Sequence, residues 1–136
     1  MPAQSSKQLK ILITGLIVHA DIPDYFRRLF GTPDQIQAAI TADENKIRDA
    51  GFDVTSFQIN DGDTEAGLKW IEDELRSRHF DGIMIGSGLR LIPPQTALFE
   101  NVVDVCRRVS PDAVFMFNSG PGTNWKTLQR NLHRLQ

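Results

Sequence analysis

The feature that most narrows the possible folds is an alternation. Four short apolar runs, rich in β-branched or aromatic residues, recur along the chain, and each is followed by a stretch with helical spacing. They cover residues 9–14 (with a continuation open through Gly15 to Val18), 53–59, 82–86 and 113–117. The first, third and fourth are almost continuously hydrophobic, as strands buried on both faces are. The second, Asp53-Val54-Thr55-Ser56-Phe57-Gln58-Ile59, alternates, which suits an edge strand half open to water. Strands alternating with helices imply right-handed crossovers and a parallel sheet. The expected architecture is an α/β, three-layer (αβα) sandwich around a four-stranded parallel sheet in the flavodoxin-like order 2-1-3-4.

The helices are well punctuated. Thr32-Pro33-Asp34-Gln35 combines a capping threonine, a proline at the first helical position and a glutamine positioned to close a capping box. Ile36, Ile40 and Ile47 then mark one face, and Gly51 is the natural stop. Thr64 opens the next helix, Pro93-Pro94 the third, and Thr123 is the expected cap of the last. Residues 1–8 are polar and read as a flexible N-terminal tail, leaving 9–136 as a single flavodoxin-like domain.

Composition excludes several classes. At 136 residues the chain suits one domain with a sizeable core. A net charge of −2 offers no basic field for a phosphate backbone, so nucleic acid is not an expected partner. No apolar run approaches the roughly 18 residues of a membrane span, so no membrane partner is expected, and the opening residues lack a signal peptide's apolar segment. Cys106 is the single cysteine, which excludes an intrachain disulfide and fits a cytoplasmic setting.

One connection is anomalous. The stretch between the first strand and Thr32 is far longer than the usual βα loop of about 2–6 residues. Within it, Asp21-Ile22-Pro23-Asp24 reads as a cap and first turn, with Tyr25, Phe26, Leu29 and Phe30 following at helical spacing. Three readings stand: a short helix over the sheet's end, a lid carrying aromatic residues over a site, or an oligomer contact. The fourth run lacks proline or lysine although it lies at the sheet's edge, so a homodimer is expected.

In open parallel sheets ligands bind beyond the carboxyl ends of the strands, where the strand order reverses. Gly15, Gly86-Ser87-Gly88-Leu89-Arg90 and Asn118-Ser119-Gly120-Pro121-Gly122-Thr123 converge there. The glycines let the backbone approach a small-molecule ligand. Arg90 suits a carboxylate or phosphate, and the loop ending at Thr123 leads to a helix N-terminus. His19 is the candidate general acid or base, with Ser87 and Asn118 as partners that orient the substrate. Gly15, Gly86, Gly88, Arg90, Ser119, Gly120, Tyr25 and Phe26 complete the expected binding set. Asp61 and Asp63 read as turn and cap residues. The histidines and the cysteine form no metal set, and neither a Walker loop nor a Gly-x-Gly-x-x-Gly fingerprint is present, so no cofactor is expected.

At the level of fold the pattern resembles flavodoxin-like and half-Rossmann proteins over nearly the whole chain. The stretches Ile85-Gly86-Ser87-Gly88-Leu89-Arg90, Leu98-Phe99-Glu100 and Phe117-Asn118 resemble small α/β proteins of uncharacterised function. The acidic cluster of response-regulator receivers, the Asp-x-His-x-x-Gly of cobalamin domains and the Ser/Thr-rich loop of flavodoxins are missing after the first strand. The residues fit a small cofactor-independent enzyme of isomerase, lyase or cyclase type, acting on an anionic or carbonyl-bearing metabolite. The alternatives are a regulatory module that binds a nucleotide or phosphorylated metabolite, and a protein-interaction module.

Overall fold

The computed structural model describes residues 8–135, so the expected tail lies outside the described residues except for Gln8. In chain order the elements are β1 (Lys10–Leu16), α1 (Asp24–Phe30), α2 (Pro33–Asp49), β2 (Asp53–Ile59), α3 (Thr64–Ser77), β3 (Gly82–Ile85), α4 (Ser87–Arg90), α5 (Thr96–Val109), β4 (Val114–Phe117) and α6 (Asn124–Asn131). Single 3₁₀ turns at Pro93–Gln95 and Leu132–Arg134 adjoin α5 and α6. The four strands form one sheet in the order β2-β1-β3-β4, and every pairing is parallel. Register sets Ile13 against Ser56 and Met84, and Gly15 against Gln58.

Alternation along β1 divides the core. Ile11 and Ile13 pack with Ile47 of α2, Leu128 of α6, Met84 and Met116. Leu12 and Leu16 pack on the opposite face with Ile71 of α3 and Val102 and Cys106 of α5. Helices on both faces explain the near-continuous hydrophobicity of β1 and β3. Truncating a fully buried residue such as Ile83 to alanine therefore costs about 2–5 kcal/mol. β2 is an edge strand, as expected, but its burial does not alternate: most of it is half-buried, with Ser56 exposed and Ile59 buried, and Phe57 stacks on Trp70 with ring centroids 4.2 Å apart.

Helix ends show where local sequence decides and where it does not. Thr32 and Gln35 form the reciprocal capping box, and Gly51 takes the positive φ of 100° that a side chain resists. Asp63 caps α3, its carboxylate accepting the Ala66 N–H at 3.3 Å. The last helix departs from expectation. The Thr123 hydroxyl makes no cap; it accepts the N–H groups of Ser119 and Gly120, both at 3.1 Å, and so shapes its own loop. The amide of Trp125 is bound instead by the buried carboxylate of Asp43 on α2, at 3.1 Å. That partner is 82 residues away, beyond any local pattern.

The β4 edge is covered from the side. Arg134 donates to the carbonyl of Phe115 at 3.3 Å and Arg130 to that of Phe117 at 3.0 Å. Two edge carbonyls that could otherwise recruit another strand thus have intramolecular partners.

Candidate functional site

Gly15 opens the site. It follows Ile11 and Ile13 on the face of β1 turned toward α2, where every second residue would project a side chain. Without one, a cavity of about 60 Å³ remains between the sheet, α2 and the first turn of α6. A Cβ at Gly15 would meet only the Gly86 Cα, at 3.8 Å, so the space beside it is open. By volume the cavity holds about two waters, or the buried part of a larger molecule. Ile36 and Ile40 of α2 and Phe26 of α1 form much of its wall.

Polar groups gather at two levels. At the register of Ile13, Glu44 of α2 reaches Ser56 of β2, whose hydroxyl donates to Oε2 at 2.7 Å. Glu44 is buried, and its other oxygen lies 3.9 Å from Arg48 Nη2. Roughly 6–7 Å further along the strand direction, Gly15 and Gly86 meet, and Ser87, Gly88, Asn118 and Asn124 line the wall. The first-turn amide of Gly88 has no acceptor within α4. The Ser87 hydroxyl makes no hydrogen bond to another described residue.

Asn118 is an internal tie. Its Oδ1 accepts the Ser87 N–H at 2.7 Å, and its Nδ2 donates to Asn124 Oδ1 at 2.5 Å. Its own carbonyl accepts from Arg90 at 2.8 Å, and the Arg90 guanidinium carbon lies 5.9 Å from the Phe117 ring centroid. The loops after β3 and β4 are thereby locked to the start of α6.

The structure brings Gly15, Gly86, Ser87, Gly88, Asn118 and Phe26 together around the cavity. His19, Tyr25, Arg90, Ser119 and Gly120 are not among its lining residues. His19 is exposed on the loop after β1. Tyr25 donates its hydroxyl to the Leu91 carbonyl at 2.9 Å, which fastens α1 beside α4. Gly120 abuts Phe30, whose ring would lie 2.6 Å from a Cβ there, so α1 closes down on the β4–α6 loop. The anomalous connection is a short helix covering the end of the sheet, and Phe26 is its contribution to the cavity. Asp61 accepts the amide of Asp21 at 3.3 Å and ties that connection to the β2–α3 turn.

Sequence reasoning missed Glu44, Ser56 and Asn124. One signal was present: the spacing Ile36, Ile40, Glu44, Ile47 sets a carboxylate in the apolar stripe of α2. No such signal exists for Asn124, whose place depends on Asn118. Cys106 stands apart from the site, and burial pushes its thiol up to about 12. Among the described residues no helix is long and apolar enough to cross a membrane.

No protein-family model matches the chain, and no curated protein matches it in sequence.

Proposed function

We propose that the protein is a small enzyme of the isomerase or lyase type, acting on a compact carbonyl-bearing molecule in the slot beside Gly15. One observation carries this reading. An apolar cavity at the carboxyl end of the parallel sheet has a buried carboxylate, Glu44, at one level, and the Ser87 hydroxyl and Gly88 amide at the next. A carbonyl oxygen laid against Ser87 and Gly88 meets donors where negative charge develops as a proton leaves the adjacent carbon. Glu44 is the group lining the slot that can accept that proton. Returning it to a different atom of the same molecule completes an isomerisation. If the electron pair instead expels a group from the neighbouring carbon, the outcome is an elimination.

The test works with generic carbonyl compounds in place of the natural substrate. Small aldehydes, ketones and amides are incubated with the protein in D₂O, and loss of proton signal beside the carbonyl is followed by NMR. Exchange by the wild type that is absent in Gly15→Val, a variant that fills the slot, supports the reading. Exchange retained in that variant removes the slot from the chemistry.

A second reading, a binding module that holds its ligand without turnover, is favoured by one observation. His19 is exposed and does not line the cavity. Slot binding without proton exchange would support it.

A further inference from the structure

We infer that the slot selects against anions and takes neutral or cationic molecules that present an N–H donor to Glu44. The inference rests on the proposed site and narrows its ligand class. Among the described residues, Glu44 is the only one with an ionisable side chain lining the slot, and no lysine, arginine or histidine lines it.

The two helix-end amides nearest the slot already have acceptors, which leaves the Ser87 hydroxyl and the Gly88 amide as uncharged donors for a neutral oxygen. The first amide of α4, Ser87 N–H, is bound by Asn118 Oδ1. At α6 the Trp125 N–H is bound by the carboxylate of Asp43, so the helix's positive end already faces a negative charge. Asp43 and Glu44 are adjacent and both buried. A ligand carboxylate or phosphate would enter a low-dielectric slot facing a like charge, without a counter-ion on the wall. A ligand N–H near Glu44 instead gains a charge-assisted hydrogen bond, because Ser56 engages Oε2 and Oε1 has only Arg48 at 3.9 Å. Arg48 cannot serve an anion inside the slot: it is not among the lining residues, and its side chain is 45% exposed.

Three probes of nearly the same shape separate charge from fit: isobutyramidine (a cation), isobutyramide (neutral) and isobutyrate (an anion). Each is titrated into the full chain while the backbone amides of Gly15, Gly86 and Gly88 are followed by NMR. The expected order of affinity is amidine, then amide, with isobutyrate weaker than the amide by roughly tenfold or more. Glu44→Gln should weaken the amidine by about tenfold and change the amide little. Arg48→Ala, a surface change that leaves the slot's packing intact, should strengthen the amidine relative to the amide. That variant keeps the inference testable if Glu44→Gln fails to fold. Isobutyrate binding as tightly as isobutyramide, or an amidine preference unmoved in the variants that fold, would overturn the charge inference while leaving the site in place. If none of the three probes shifts the slot amides, both the site and its charge preference fall.

Discussion

Asn118 receives the backbone N–H of Ser87 on its side-chain oxygen at 2.7 Å, across 31 residues of chain. The donor must face oxygen, which fixes the orientation of the amide and turns its nitrogen toward Asn124. Two loops that converge on the carboxyl end of the sheet are thus held by one buried side chain.

Asn118→Ala leaves the Ser87 amide and the Asn124 oxygen without these partners. The expected cost is about 2–6 kcal/mol, since each of the two unsatisfied buried groups carries roughly 1–3 kcal/mol. Urea unfolding should show a lower midpoint with an unchanged slope. A midpoint within error of the wild type would mean that water replaces Asn118 without loss.

Asp43 caps α6 from another helix, so Asp43→Ala should cost about 0.5–2 kcal/mol. It should also open the helix end to anions. Sulfate is expected to raise the melting temperature of the variant more than that of the wild type, and equal responses would show that the N-terminus was accessible from the start.

These bonds mark the boundary of what the sequence discloses. Strand order, the capping box at Thr32 and the stop at Gly51 follow from hydrophobic periodicity and backbone sterics, which neighbouring residues encode. The convergence of Gly15, Gly86 and Ser87 is equally legible, because a parallel sheet brings the carboxyl ends of its strands together. The polar interior is not. Asp43, Glu44 and Asn124 acquire their surroundings from elements distant in the chain, and Thr123, a standard cap by composition, turns its hydroxyl to its own loop. His19 and Arg90 attract attention as residue types, yet reach and direction are tertiary properties: Arg90 bonds the Asn118 carbonyl and His19 stands in the open.

Thr14 carries a different kind of consequence. Its hydroxyl is buried without a hydrogen-bond partner among the described residues, while its backbone contributes to the sheet. Thr14→Val replaces that hydroxyl by a methyl group of similar size and should stabilise the fold by about 1 kcal/mol. Thermal unfolding decides, and destabilisation would mean that the hydroxyl has a partner such as a bound water.

A dimer paired edge to edge through β4, rather than through the helices beside it, would have to displace Arg130 and Arg134 from the edge carbonyls. Replacing both by alanine frees those carbonyls and should promote self-association. Sedimentation velocity over a range of concentrations should show a larger species in the double variant. Identical profiles would show that the arginines do not guard the edge.

Burial gives the fold an alkaline limit at Cys106. Its folded-state pKa of about 12 lies above the ordinary value of 9.0, so the folded chain keeps a proton that the unfolded chain releases. The contribution is fully present below pH 9.0 and is lost between 9.0 and about 12, at close to 1.4 kcal/mol per pH unit. Cys106→Ala, though less stable at neutral pH, should lose stability less steeply across that window. Parallel slopes would assign the alkaline loss to other groups.

The most direct measurement of the central claim is a crystal structure with the tightest-binding neutral carbonyl probe. The probe should lie between β1 and α2 beside Gly15, with its oxygen within hydrogen-bonding distance of Ser87 or the Gly88 amide. A probe found on the outer rim at His19 and Arg90, with the slot beside Gly15 filled only by solvent, would contradict it.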